Sequence, residues 1–281
     1  MKVQKTAGLV GAGGVSRSFL ARMPAVLARL GPVKGASYQV SRRIANGLHA
    51  GFGVSSYGAL QECELIWIAV PEYMLDSVTQ QLADEIHLDG KIVVLCDALR
   101  DSLCPSPLRT AGARLASLHC VPASEERIFA AEGHAAAMTE LRRLLAMDAR
   151  KLISLRAASK ALYLSGVCLG AYLLLPWIAG AVESLRAAGF PRAEAMCAVQ
   201  ALGARALRAY GKAGDKAWNR AAAERLHRAI ERDLEVIRLT DPRLAILYST
   251  GAGCLQHFFR EQRKSASKEP WLSPKPATIL R

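Results

Sequence analysis

The sequence predicts an α/β fold, a doubly wound parallel sheet domain followed by an all-α domain. Three observations predict it. Up to about residue 154, short apolar runs alternate with helix-spaced segments, and the runs at Leu65–Val70 and Ile92–Cys96 are apolar throughout, as strands buried on both faces of a parallel sheet are. A glycine turn, Gly11-Ala12-Gly13-Gly14, stands where the first run passes into the first helical segment. After Leu155 the texture becomes rich in Ala, Leu and Arg, with no strand-like run before Tyr248.

Taken in order, Thr6 to Val10 reads as the first strand, and Val15 to Leu30 as a helix that stops before Gly31-Pro32. Gly35 to Val40 reads as the second strand, closing on Ser41-Arg42-Arg43. Leu65–Val70, bounded by Glu64 and Pro71, and Ile92–Cys96 are the two central strands, and shorter runs near Leu115–Leu118 and Ile128–Ala131 complete the sheet. Met138 to Met147 is helical. These elements set a sheet domain over 1–154, a helical substrate and dimerisation domain over 155–252, and a flexible basic tail over 253–281, with order lost from about Gly251. Helix breaks fall at Gly189-Phe190-Pro191, Gly211 to Gly214 and Asp241-Pro242.

From Ala161 to Val182 the chain runs 22 residues without a charge, enough to cross a bilayer. Ser165, Gly166, Gly170, Pro176 and Gly180 interrupt it, and no aromatic belts flank both ends. The expectation is a helix packed on all sides within the domain, or shared with a second subunit of a homodimer, and not a membrane segment.

Composition narrows the function classes. With 281 residues, 51% of them apolar, the chain is long enough for two modest cores. Its seven cysteines stand singly, without CxxC or zinc-finger spacing, which implies a reducing compartment and no metal site. No export signal is legible, so the expected location is cytoplasmic. The net charge of +13 is uneven: residues 1–150 hold 16 Lys and Arg against 14 Asp and Glu, whereas 151–281 hold 21 against 10. The basic residues from Arg205 to Arg238 are spread along helical-looking sequence in which Tyr210 and Trp218 are the two aromatics, not an interleaved aromatic platform, which argues against nucleic-acid binding. Two readings stay open there, a solvated helix face and a site for an anionic substrate.

The glycine turn is the strongest local signal. Gly11 permits the tight turn, and Gly13 and Gly14 let backbone approach a pyrophosphate at the helix N-terminus, where Val15 and the preceding residues present unpaired N–H groups. The third glycine of the usual fingerprint is replaced by Ser16, small enough to keep helix and strand close and able to offer its hydroxyl to a phosphate. At the end of the second strand an acidic residue would chelate the ribose hydroxyls of NAD; Ser41, Arg42 and Arg43 stand there instead, so NADP is expected. A guanidinium on the 2′-phosphate is worth about 1.5–3 kcal/mol. The alternative is that these arginines begin a solvated helix.

The order of motifs along residues 6 to about 250 carries a resemblance. Gly11–Gly14, Ser41-Arg42, Ile68-Ala69-Val70-Pro71, Ser117-Leu118-His119, Glu132-Gly133, the helix beginning near Ala157, and Asp241-Pro242 followed by Tyr248 match in sequence order. The chain resembles the Rossmann-fold oxidoreductases that carry a C-terminal helical domain of undefined function, relatives of pyrroline-carboxylate reductase, ketopantoate reductase and the β-hydroxyacid dehydrogenases. The resemblance implies that Val70, Pro71 and Glu72 line the cofactor cleft. His119, at the carboxyl end of a strand, is on the ligand side and is a candidate proton donor, or else a structural histidine. Lys160, Tyr163 and Ser165 fall where such enzymes place substrate-binding and proton-donating groups, so Lys160 orients a carboxylate, acts as an acid if its pKa is lowered, or else snorkels to solvent. Cys168 stands where these relatives often carry Asn, a departure from the pattern. The expected activity is NADPH-dependent reduction of a C=O or C=N bond in a small anionic substrate; a non-catalytic NADP-binding sensor or partner subunit is the alternative.

Overall fold

The computed structural model describes residues 6–102, 105–121, 128–217, 229 and 232–265. Eight strands form one sheet in the order β3-β2-β1-β4-β5-β6-β7-β8: β1 (Ala7–Gly11), β2 (Leu30–Lys34), β3 (Phe52–Val54), β4 (Leu65–Ala69), β5 (Ile92–Cys96), β6 (Arg114–Cys120), β7 (Ile128–Gly133) and β8 (Lys151–Ser154). All neighbours pair in parallel except β6 and β7. The helices between them are α1 (Gly13–Leu20), α2 (Pro24–Leu27), α3 (Tyr38–Leu48), α4 (Glu72–Glu85), α5 (Ser106–Thr110) and α6 (Ala135–Met147). The region beyond is helical: α7 (Lys160–Gly170), α8 (Leu175–Ala187), α9 (Arg192–Ala213), a segment at 232–240, and α10 (Pro242–Ser265). This is a Rossmann-like α/β sheet with a helical C-terminal region.

The apolar runs at β4 and β5 are buried at every position. Successive side chains of a strand point to opposite faces, so Leu65, Trp67 and Ala69 join one core with Phe19, Ile44 and Phe129, while Ile66 and Ile68 join the other with Leu60 and Leu82.

The start of the chain departs from the sequence expectation in two places. The helix expected over Val15 to Leu30 is broken: α1 ends at Leu20, and Pro24, which lacks an N–H and suits a first helical position, opens α2. The Asp148 carboxylate accepts the Ala25 N–H there, both oxygens lying 3.0 Å away. The second strand lies at Leu30–Lys34, five residues earlier than expected. Gly31-Pro32, which reads as a helix stop, is inside it, because the β1–β2 register shifts between Ala7 and Leu9 and such an irregularity tolerates a residue without an N–H. Residues 38–40 are instead the first turn of α3, capped by the Ser37 hydroxyl, which accepts the Val40 N–H.

The chain divides into two compact units, residues 1–166 and 167–281. Within the second, α8 and α10 approach closely at two glycines: a Cβ on Gly180 would lie 2.3 Å from the Leu247 side chain, and one on Gly251 would lie 2.6 Å from the Trp177 ring. α10 continues through Gly251 to Ser265, beyond the point where the sequence suggests that order ends; residues 266–281 lie outside the described residues.

The long uncharged stretch is two helices, broken at Ala171. By length and composition Lys160–Ala187 suffices to cross a bilayer. It is not enclosed within the chain as expected: Leu162, Leu169, Tyr172 and Leu175 are exposed.

Candidate active site

Strand order places the site. β1 lies between β2 and β4, so successive crossovers lead away from it in opposite directions, and the carboxyl ends of β1 and β4 border the crevice where open α/β sheets bind ligands. The Ala12 N–H donates to the Ala69 carbonyl, which locks the glycine turn to β4. Gly13 has φ +52°, a left-handed conformation that favours glycine. A Cβ at Gly13 or Gly14 would meet nothing within 4 Å, so the mouth of α1 is open, and the first-turn N–H groups, those of Gly14, Val15 and Ser16 among them, lack intrahelical acceptors.

Gly11 acts differently. A Cβ on it would lie 2.4 Å from Ser16 Oγ, so the absence of a side chain lets strand and helix close. Ser16 is fully buried and its hydroxyl donates to the Ala69 carbonyl at 2.8 Å. Its single proton is spent on that bond, which corrects the expectation that it reaches a phosphate.

At the other end of the crevice, Ser41 is also fully buried. Its hydroxyl accepts the Gly35 N–H at 2.8 Å and lies 3.0 Å and 2.9 Å from the Ser37 and Val54 carbonyls, so it holds the β2–α3 turn to β3 and does not face a ligand. Arg42 and Arg43 are exposed on α3, and the Arg42 guanidinium lies over the Tyr38 ring, 5.9 Å from its centroid. No acidic residue occurs from Lys34 to Arg43.

Val70 and Pro71 follow β4, with Pro71 as the N-cap of α4. Next to them Glu72 accepts the Leu99 N–H at 3.0 Å and pairs with the Arg100 guanidinium at 2.9 Å, joining the β4 and β5 loops.

A polar cluster occupies the same edge at β5, β6, β7 and the start of α7. Asp97, just past β5, has φ +51°, unusual for a residue with a side chain and a mark of local strain. Its carboxylate accepts the Cys120 N–H at 3.3 Å and lies 3.7 Å from His119 Nδ1. The His119 ring packs on Tyr163 with centroids 5.4 Å apart, and its Nε2 is buried without a hydrogen-bond partner. Burial first, then the Lys160 charge, pull the His119 pKa down to about 4. It is therefore neutral at physiological pH, which removes the titration near neutrality that its candidacy as an acid assumed. Burial raises the pKa of Asp97, and burial with the Asp97 charge raises that of Tyr163, so the phenol keeps its proton.

Lys160 does not snorkel to solvent. It is 1% exposed, and its ammonium donates to the Arg100 carbonyl and to Ser117 Oγ, 3.6 Å from the Glu132 carboxylate. Ser165 donates to the Ala161 carbonyl within its own helix, and Cys168 is exposed.

Sequence reasoning passed over Asp97 altogether and assigned no role to Glu132 or Ser117. A signal for the latter two exists: Ser117 and His119 are two apart in an apolar strand and share one face, and Glu132 sits in a second apolar run that pairs Ser117 with Glu132 across the ladder. A charged residue at such a position needs a buried partner.

No protein-family model matches the chain, and no curated protein does. Solved structures do. An imine reductase from Myxococcus stipitatus in complex with NADP+ matches with TM-score 0.68 at 15% identity, covering 92% of this chain and 94% of the other. A reductive aminase from Aspergillus terreus, in complex with NADPH and ethyl-5-oxohexanoate, matches with TM-score 0.62 at 15% identity over 92% and 95%. A pyrroline-5-carboxylate reductase from Coxiella burnetii matches with TM-score 0.53 at 12% identity over 92% and 98%. This chain shares their fold. At these identities the likeness extends to architecture and no further.

Proposed function

We propose that this chain is an NADPH-dependent reductase of a C=N or C=O bond in a small molecule. One observation carries the proposal: an open glycine mouth at the β1/β4 switch point, on the same sheet edge as a converging carboxyl, imidazole and phenol. The residues present fit a dinucleotide. Gly11 closes strand on helix, Gly13, Gly14 and Val15 offer backbone N–H groups to the pyrophosphate, Val70 and Pro71 border the crevice, and Arg42, braced on Tyr38, with Arg43 receives the 2′-phosphate. When bound, the dinucleotide supplies a hydride.

The chain's own part is proton delivery and orientation. With a C=O or a neutral C=N substrate, Tyr163, protonated at neutral pH, gives its proton to the oxygen or nitrogen as the carbon receives hydride, and His119, neutral and packed on the Tyr163 ring, orients the phenol; with an imine already protonated, hydride alone completes the reduction and Asp97 stabilises the substrate's charge. Of the cations beside this trio, Lys160 is engaged by Glu132 and Arg100 by Glu72 and Asp76, while Arg22 also acts on Asp97. The Asp97 carboxylate at the centre of the cluster suits a cationic imine better than the anionic substrate expected from the basic composition. Names of the fold neighbours agree with C=N chemistry.

The non-catalytic sensor remains a second reading, favoured by the enclosure of Lys160, the residue that the resemblance ties to substrate. The cysteines of the described residues are free thiols, in keeping with the cytoplasmic location we propose.

Titration of NADPH and NADH by cofactor fluorescence tests the cofactor assignment: NADPH binds at least about tenfold tighter, and R42A narrows the gap, since one charge-assisted bond accounts for about a decade. Equal affinities in the unaltered protein refute it. NADPH oxidation over cyclic imines and keto acids then separates enzyme from sensor; tight binding with no turnover across the panel favours the sensor.

A further inference from the structure

Lys160, 1% exposed, and Glu132, largely buried, are two opposite charges beside the Asp97, His119 and Tyr163 cluster. Removing both from water is costly, and apolar residues of similar volume would often be at least as stable. What the pair holds is specific. Glu132 accepts the Ser102 N–H at 2.8 Å and its hydroxyl at 2.7 Å, and the Ser117 hydroxyl at 2.6 Å. Lys160 bonds the Arg100 carbonyl and Ser117 Oγ. The segment from Asp97 to Ser102 is thereby anchored at its far end by Glu132 and in its middle by Lys160. Asp97 at its near end is tied to β6 through the Leu118 carbonyl and the Cys120 N–H. Lys160 is also the first residue of α7, and Tyr163, three residues on, lies on the same side of the helix.

We propose that Lys160 and Glu132 are a positioning pair: they clamp residues 97–102 and the first turn of α7 against β6 and β7, so that Asp97, His119 and Tyr163 converge, and neither touches substrate. The clamp is a geometric claim; what it serves rests on the reductase reading above.

The test uses the full-length protein, K160M, E132Q and the K160M/E132Q double variant, with backbone hydrogen exchange as the first measurement. In K160M the Ser102 and Cys120 amides exchange about tenfold faster, the loss of roughly one hydrogen bond's protection, while amides of β1 and β4 and the NADPH affinity stay within about twofold, inside ordinary context variation. If K160M does not fold, the double variant, which leaves no unpaired charge, carries the same measurement. The second readout is the His119 imidazole by NMR. The groups that face it are Asp97 beyond β5, Cys120 on β6, Glu132 on β7, and Lys160 and Tyr163 on α7. In E132Q the lost Glu132 charge by itself lowers the His119 titration midpoint, whereas release of the clamp exposes the ring and raises it; a midpoint that only falls counts against the clamp.

Unchanged protection at Ser102 and Cys120 in a folded variant overturns the clamp, and so does protection lost equally over the whole sheet. A silent substrate panel with the predicted exchange pattern leaves the clamp standing and counts against the reductase reading alone.

Discussion

A histidine at the carboxyl end of a strand is an acid near neutrality only if its surroundings leave its pKa there. His119 is enclosed by the Tyr163 ring and lies near the Lys160 ammonium, and both effects favour the uncharged ring. The consequence for stability has a definite sign. With a folded-state pKa of about 4 against 6.5 unfolded, the unfolded chain binds the extra proton, so the contribution of His119 is complete above pH 6.5 and is lost as pH falls towards 4. The full effect is about 3 kcal/mol. Denaturant unfolding of the protein and of H119N from pH 7.5 to 4 measures it: the difference between them shrinks across that window. A gap independent of pH contradicts the neutral assignment. Ser16 and Ser41 illustrate the same point, since a hydroxyl that looks like a ligand in sequence is spent on backbone once buried.

Among the elements, α1 carries the cofactor proposal, and its two functions separate by substitution. Gly11 faces Ser16 and Gly14 faces open space. G14V therefore leaves the unfolding free energy within about 0.5 kcal/mol, the range of surface substitutions, yet its branched side chain fills the place where a diphosphate would approach, and NADPH affinity falls by at least about tenfold, the equivalent of one charge-assisted hydrogen bond. Equilibrium unfolding and NADPH fluorescence on one preparation check both halves; unaltered affinity removes the α1 mouth from the site. The β2–α3 boundary shows how little shift is needed to mislead. Displaced by five residues, Ser41-Arg42-Arg43 moves from a strand end into a helix, where Ser41 turns inward and Arg42 outward.

For the molecule as a whole, the exposed apolar side chains of α7, α8 and the turn between them are what a single chain leaves uncovered. Leu169, Tyr172, Leu173 and Leu175 are exposed large apolar side chains within seven residues of one another, and clustered exposed apolar side chains mark interaction sites. We propose that a second copy covers it. Light scattering of the purified protein is expected to give twice the mass of the 281-residue chain, and L173E with L175E to give one copy with unit 1–166 still folded. A monomer in the unaltered protein contradicts this.

The fold class was legible because its signals are local or periodic: unbroken apolar runs at β4 and β5 require burial on both faces, and glycines between strand and helix require a close turn. The glycine mouth was legible for the same reason. The strand boundaries near Pro32 were not, because a register shift against β1 decides whether a proline is tolerated. Nor were the roles within the cluster: whether Lys160 meets substrate or Glu132, and whether His119 is charged, depend on Asp97, Ser117 and Glu132, far apart in sequence and joined only by strand order and pairing. Sequence alone determined which strands must be buried on both faces and where a glycine turn opens the start of a helix. The tertiary structure decided which polar groups face one another, since burial and partner charge act through space.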